Sequence, residues 1–233
     1  LFLMKKEFDF KEGEVLLFNK PIHWTSFQLV NKVRWLIKRA LKVKKIKVGH
    51  AGTLDPLANG LMILCTGKMT KEIDQYQAAE KEYVATLKLG ATTPSYDGET
   101  AENYFFATQH IQEDLIRSII PKFIGEIQQY PPIFSALKVG GKKLYELARK
   151  GEEAEIKPRS ITIRELELLK IDFPYVKFRI ICSKGTYIRS LAYDIGIALN
   201  SGAWLCKLQR TRIGKYDLKS AIDIQDFEKM MNS

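Results

Sequence analysis

The clearest periodicity in the chain lies at residues 81–90, KEYVATLKLG, where Tyr83, Ala85, Leu87 and Leu89 fall on one face and Val84, Thr86 and Lys88 on the other. A period of two marks a strand with one buried face. EVLLF at 14–18 and the apolar run LMILCTG at 61–67 predict two further strands, and alternation returns at 160–172 and 175–183. Helical spacing places Leu29, Val33, Leu36, Ile37 and Ala40 on the inner face of a helix that Thr25 or Ser26 can cap. Helices are also predicted over 70–80, 111–123 and about 187–199, the last stopped by NSG. ATTPSYDGETAENYFF at 91–106 reads as a turn-rich loop. Prolines, paired glycines and charge predict a projecting excursion over about 131–155. Strands and helices mix without a βαβ period or an internal repeat, so the pattern predicts one α+β domain spanning 1–233.

Composition narrows the classes. With 233 residues, 45% of them hydrophobic, the chain can bury a sizeable core. No apolar run is long enough to cross a bilayer, and the opening LFLMKKEFDF lacks a secretion signal, so a cytoplasmic protein without a membrane partner is expected. The three cysteines, Cys65, Cys182 and Cys206, are odd in number and widely spaced among apolar neighbours, which predicts reduced thiols. The three histidines show no ligand spacing, so no metal is expected.

A net charge of +10 favours a polyanionic partner. Basic residues crowd 32–47, KVRWLIKRALKVKKIK, and recur in KVGGKKLYELARKG at 138–151 and KLQRTRIGKY at 207–216. One such run is ordinarily the solvated face of a helix; three in a small protein point to nucleic acid.

The candidate chemistry sits in GHAGTLDPLANG at 49–60. Asp before Pro is a common turn former. Flanked by glycines that let backbone approach a ligand closely, however, Asp55 is also a candidate pre-organised nucleophile. A nearby arginine would favour its ionised form and fix its orientation. CSKGTYIRS at 182–190 offers Arg189 just past a strand, with Tyr187 two residues earlier.

Together with NKP and TS at 19–26, GKMTK at 67–71, KEYVATLKLG at 81–90, PPIFSALKVGGKKLYELARKG at 131–151 and CSKGTYIRSLAYDIG at 182–196, these blocks resemble the TruB family of tRNA pseudouridine synthases, in the family's order and over most of the chain. The resemblance implies a mixed, mostly antiparallel central sheet flanked by helices, with a thumb-like insertion at about 131–155. It implies an isomerase that detaches a T-loop uracil of tRNA (tRNA position 55) from its ribose, turns it and rejoins it through carbon, without cofactor or metal. By the same resemblance Asp55 is the catalytic aspartate, Arg189 the arginine that pairs with it, and Tyr83 the tyrosine that packs on the flipped base. His50 matches a residue that helps extrude the base, and Lys71 and Tyr187 match positions near the substrate. The thumb would close on the T-arm, with Lys138, Lys142 and Lys143 as phosphate contacts. A tyrosine titrating near ~10 is a poor base at neutral pH, so stacking is the safer role for Tyr83.

The family motif usually has glycine where His23 stands, aspartate where Asn19 stands, and often tyrosine at Phe134. Many relatives continue into a further RNA-binding domain that the resemblance does not extend to here, and a monomer is expected. Two other functions remain open at this stage: a synthase for another RNA, and a chaperone that binds and reshapes the tRNA elbow.

Overall fold

The computed structural model describes residues 8–135, 137–144 and 155–232. Residues 82–208 form one compact unit, and the segments before and after them form the other.

In the flanking unit, β1 (Val15–Lys20) runs antiparallel to β3 (Ala58–Thr66), with Val15 opposite Cys65 and Lys20 opposite Gly60. A short β2 (Val48–His50), which the apolar pattern does not announce, pairs with the far half of β3, setting His50 opposite Leu64. Helix α1 (Ser26–Ala40) starts with a capping box: Thr25 Oγ1 accepts from the Gln28 amide at 3.1 Å, and the Gln28 side chain accepts from the Thr25 amide at 2.7 Å. Its buried face is Leu29, Val30, Val33, Leu36 and Ile37, whereas Ala40, predicted inward, is exposed in the last turn. The helix predicted over 70–80 is split into a 3₁₀ turn, Gly67–Glu72, and a short α2 (Ile73–Ala78). The first amides of that turn are tied to neighbouring chain, Gly67 to the Lys47 carbonyl at 3.0 Å and Lys68 to that of Glu12 at 3.1 Å. Phe227, fully buried, meets Phe18 edge to face at 5.2 Å.

In the unit of residues 82–208, the strand order is β12 (Ala203–Ile213), β4 (Lys81–Leu89), β11 (Tyr175–Cys182), β10 (Arg159–Asp172) and β7 (Gly125–Gln129). β12 begins in this unit and ends in the other, where it neighbours β3 and pairs with β13 (Tyr216–Asp217). The alternation of β4 is as predicted, with every second residue from Lys81 to Leu89 buried. The predicted loop after it contains a small hairpin, β5 (Ala91–Thr92) with β6 (Tyr104–Phe105). Helix α3 covers only Glu113–Ile119; Pro121, lacking an amide hydrogen, turns the remainder into a 3₁₀ segment ending at Phe123. β8 (Lys138–Val139) and β9 (Lys142–Lys143) form a hairpin across Gly140 and Gly141 at φ +58° and +83°. Two successive left-handed residues make the tight turn whose twist suits such strands. The remainder of the predicted thumb, residue 136 and residues 145–154, lies outside the described residues.

Helix α4 (Ile188–Ala198) buries Leu191, Ala192, Ile195 and Gly196, and α5 (Ile224–Asn232) closes the chain in the flanking unit, packed on α1. The fold class is the expected one, α+β with a mostly antiparallel sheet and flanking helices. No helix among the described residues is long and apolar enough to cross a membrane.

Gly196 lets α4 lie directly on the start of β12: a Cβ there would stand 2.3 Å from the Ala203 amide nitrogen. Gly196→Ala gains helix propensity but forces main chain apart, so a net loss of about 1–3 kcal/mol is expected, read as a lower urea midpoint with unchanged m-value.

Candidate active site

The turn that carries Asp55 is assembled by partners distant in sequence. It leaves β2 with the Ala51 amide bonded to the Ile63 carbonyl at 2.9 Å, passes Gly52 at φ +99°, and closes with the Ala58 amide on the Asp55 carbonyl at 3.0 Å. Buried Ser26, in the first turn of α1, accepts from the Leu54 amide at 2.9 Å and donates to the Leu54 carbonyl at 3.0 Å. His23 adds an amide bond to the Pro56 carbonyl at 2.7 Å. His23 has φ +69°, the left-handed region, which is why glycine suits the position in the family motif.

The deepest support is Arg210, only 1% exposed. Its Nε donates to the Leu61 carbonyl at 2.8 Å, and its two Nη atoms donate to those of Thr53 and Gly52 at 3.3 Å each. Gly60, at φ +111°, lies on the Arg210 main chain so closely that a Cβ would come within 2.3 Å of its carbonyl oxygen. Lys20, fully buried, donates to the carbonyls of Pro21 at 3.0 Å and Trp24 at 2.6 Å. Burial pulls the Lys20 pKa from 10.5 down to about 8, opposed by the negative charge of Asp55 and assisted by the positive charge of Arg210. The negative charge of the half-buried Asp55 is therefore felt by the buried Lys20.

His50 ends β2, and burial holds its pKa below the ordinary value, with a Gly52 backbone hydrogen bond opposing and Arg210 pushing the same way as burial, which favours the neutral imidazole. Lys71 is exposed on the 3₁₀ turn. Asn19, where the family motif has aspartate, donates through Nδ2 to the Asp223 carboxylate at 3.0 Å. An aspartate at that position would set two carboxylates together.

Tyr83 and Arg189 belong to the other unit. Tyr83 lies on the buried face of β4 with Ala85, Leu87 and Leu89. Arg189 lies in the first turn of α4, 5% exposed, and donates to the carbonyls of Phe134 at 2.9 Å and Ser95 at 3.3 Å. Its Nε is 3.6 Å from Oδ2 of Asp97, an ion pair in which both side chains are nearly sealed from solvent. Asp97 is held in turn by its own loop: its carbonyl accepts from Thr93 at 2.7 Å and Ser95 at 3.2 Å, and its carboxylate accepts from the Glu99 amide at 3.0 Å. Tyr187 precedes α4 and is half-buried, its main chain bracketed by the Gln129 side chain, which accepts from the Tyr187 amide at 2.8 Å and donates to its carbonyl at 3.1 Å. The Arg159 guanidinium stands over its ring at 5.7 Å. The β8–β9 hairpin sets Lys138 opposite Lys143 and Val139 opposite Lys142.

The model of the TruB family pseudouridylate synthase N-terminal domain matches residues 38–188, and that of the tRNA pseudouridylate synthase B C-terminal domain matches residues 189–233. The chain belongs to the TruB family of pseudouridylate synthases. It is 59% identical to tRNA pseudouridine synthase B of Parabacteroides distasonis, covering 94% of each chain, and 55% identical to that of Flavobacterium johnsoniae, covering 96% of this chain and 98% of the other. Among solved structures it superposes on a chain of a Cbf5-Nop10-Gar1 complex with TM-score 0.70 and 31% identity, and on one of an H/ACA RNP bound to a substrate RNA containing 2'-deoxyuridine with TM-score 0.67 and 29% identity. Each comparison covers 94% of this chain, which spans about half the length of those two chains (54% and 53%).

Within this TruB-family framework, three residues that position the motifs escaped the sequence reading. Arg210 is hidden in the basic tail, Asp97 in the turn-rich loop, and Lys20 in a strand end. Asp97 carried a signal as the lone carboxylate of SYDG, and Lys20 as the middle residue of the NKP motif.

Lys20 yields a pH test. Its folded pKa lies below its unfolded one, so between about pH 8 and 10.5 the unfolded chain binds the extra proton and this group's contribution to stability rises with pH. The urea midpoint of wild type relative to Lys20→Met should therefore improve from pH 7.5 to 10. A pH-independent difference would show that Lys20 is not desolvated in the folded chain.

Proposed function

We propose that this chain converts a T-loop uridine of tRNA to pseudouridine, with Asp55 as the attacking carboxylate. The observation that carries the reading is the turn geometry. A half-buried carboxylate is presented on a loop fixed on both sides by buried Arg210 and held by Ser26, next to the buried cation Lys20. Such pre-organisation means that no reordering of the nucleophile is needed as bonds change.

The reaction is an isomerisation. The bond from uracil N1 to the ribose C1′ breaks, a bond from C5 to C1′ forms, C5 gives up its proton and N1 gains one. The carboxylate of Asp55 serves as the nucleophile that carries the substrate between the two bonded states. Arg189, oriented by Asp97 and two carbonyls, supplies a fixed positive charge, and Tyr83 offers a ring for the extruded base. Neutral His50 is suited to take the place of the departing base, because no ionic charge need be desolvated there. By the family resemblance, Lys71, Tyr187 and the hairpin residues Lys138, Lys142 and Lys143 are assigned as contacts to the RNA. Unstacking a uridine costs a few kcal/mol, and stacking on Tyr83 with backbone neutralisation offsets it. The substrate class rests on the relatives, which are named tRNA pseudouridine synthase B along nearly their whole length.

Release of tritium from C5-labelled uracil in unmodified tRNA transcript tests this. Wild type should release label and place pseudouridine in the T-loop, while Asp55→Asn should bind the RNA but turn over slower by roughly 10³ or more. Turnover preserved in the variant would overturn the nucleophile assignment, and modification mapped elsewhere would overturn the substrate.

A further inference from the structure

The eight basic residues of the segment 32–47 divide sharply once the chain is folded. Lys32 pairs with Glu228 at 2.7 Å. Arg34 donates to the Val48 carbonyl and to Asn31, both at 2.8 Å. Arg39 donates to Asn232 and stands 4.5 Å over the Trp35 ring, which Lys32 approaches at 5.1 Å. These three hold α1 to its neighbours, and Lys38 is half-buried. Lys42, Lys44, Lys45 and Lys47 are different. All four are exposed, and among the described residues none makes a hydrogen bond or ion pair through its side chain.

Four like charges within six residues repel one another, and among the described residues no carboxylate forms an ion pair with them. Their placement is also directional. Lys42, at φ +51°, ends α1, and the Lys47 carbonyl accepts from the Gly67 amide at 3.0 Å, tying the strip to the 3₁₀ turn that carries Lys71. Three residues beyond Lys47, β2 ends at His50, about 10 Å along the strand.

We propose that Lys42, Lys44, Lys45 and Lys47 form a phosphate-binding track that grips the backbone of the substrate RNA outside the residues that handle the target uridine. The proposal rests on the RNA-modifying reading above. A polyanion is the partner that the strip's charge requires, because each bound phosphate releases condensed counterions and relieves the repulsion. Lysines on an irregular exposed segment act as point charges without base preference, so the track adds affinity and no sequence readout.

The experiment compares wild type with a variant in which the four lysines are alanine, and with a second in which they are arginine. Equilibrium binding to tRNA transcript is measured from 50 to 300 mM salt, and single-turnover pseudouridine formation at saturating RNA. For the alanine variant the slope of log K against log salt should fall in magnitude by about 3, and affinity at moderate salt by roughly tenfold or more. Its saturated rate and urea midpoint should match wild type, and the arginine variant should keep the wild-type slope. Equal slopes for wild type and the alanine variant overturn the track even if tRNA is the substrate. A lysine-dependent slope in a wild type that forms no pseudouridine in tRNA supports the track and overturns the tRNA reading instead.

Discussion

The arrangement of the Asp55 turn depends on one buried guanidinium. Arg210 reaches carbonyls on both sides of Asp55, those of Gly52 and Thr53 before it and that of Leu61 after it. Each of those oxygens would otherwise need water, and the arginine, 1% exposed, would be an unsupported buried charge. Each partner removes the other's desolvation cost, so turn and arginine are stable only together. The Arg210 main chain also lies against Gly60, so the position of the turn is inherited from the end of β12 and not from its own residues. Lys20 repeats the logic at lower stakes, solvated by the carbonyls of Pro21 and Trp24. The electrostatic result is a buried lysine that feels the charge of Asp55.

The other unit solves a matching problem at the start of α4. The first amides of a helix lack intrahelical acceptors. Here the Gln129 side chain satisfies the Tyr187 amide, Ser190 donates to the Tyr130 carbonyl at 2.7 Å, and Arg189 donates to that of Phe134. Segment 129–134 is therefore fastened to the start of the helix at Gln129, Tyr130 and Phe134. The contact to Phe134 uses main chain, so a tyrosine hydroxyl at that position is not required for it. On the opposite side, Asp97 balances the buried arginine within a loop folded around the hydroxyls of Thr93 and Ser95. Removing one member of such a pair would leave a charge stranded in the interior, which couples this loop to α4.

The parts legible in the sequence are those where one local rule dominates. The period of β4, the cap and apolar stripe of α1, and the stop after α4 follow from spacing alone. The boundaries that shifted did so where tertiary bonds or a proline intervened, at Gly67–Glu72 and at Pro121. β7, GEIQQ, has too little apolar character to announce itself and exists because its partner β10 is there, with Ile127 opposite Ile161. Motif resemblance singled out Asp55, Tyr83, Arg189 and His50 as chemistry-bearing positions, but the residues that orient them were not legible. A buried arginine and a surface arginine read alike in one dimension. Only the fold distinguishes Arg210, bonded to three carbonyls, from a phosphate contact.

Net charge has the same ambiguity, and its resolution decides where a polyanion can be held. Much of the positive charge is internal or already matched: Arg210 and Lys20 are buried, Lys88 pairs with Glu102 at 2.8 Å, and Arg212 stands 3.4 Å from Glu80. At Arg179 the balance even reverses, since one guanidinium meets the carboxylates of Glu82, Glu165 and Glu167 within 3.1 Å. That cluster carries one positive and three negative charges in a chain of net charge +10. Exposed lysines that form no ion pair among the described residues, such as Lys42, Lys44, Lys45 and Lys47, consequently weigh more in the external field than their share of the composition suggests. A polyanion responds to that uneven field and not to the sum.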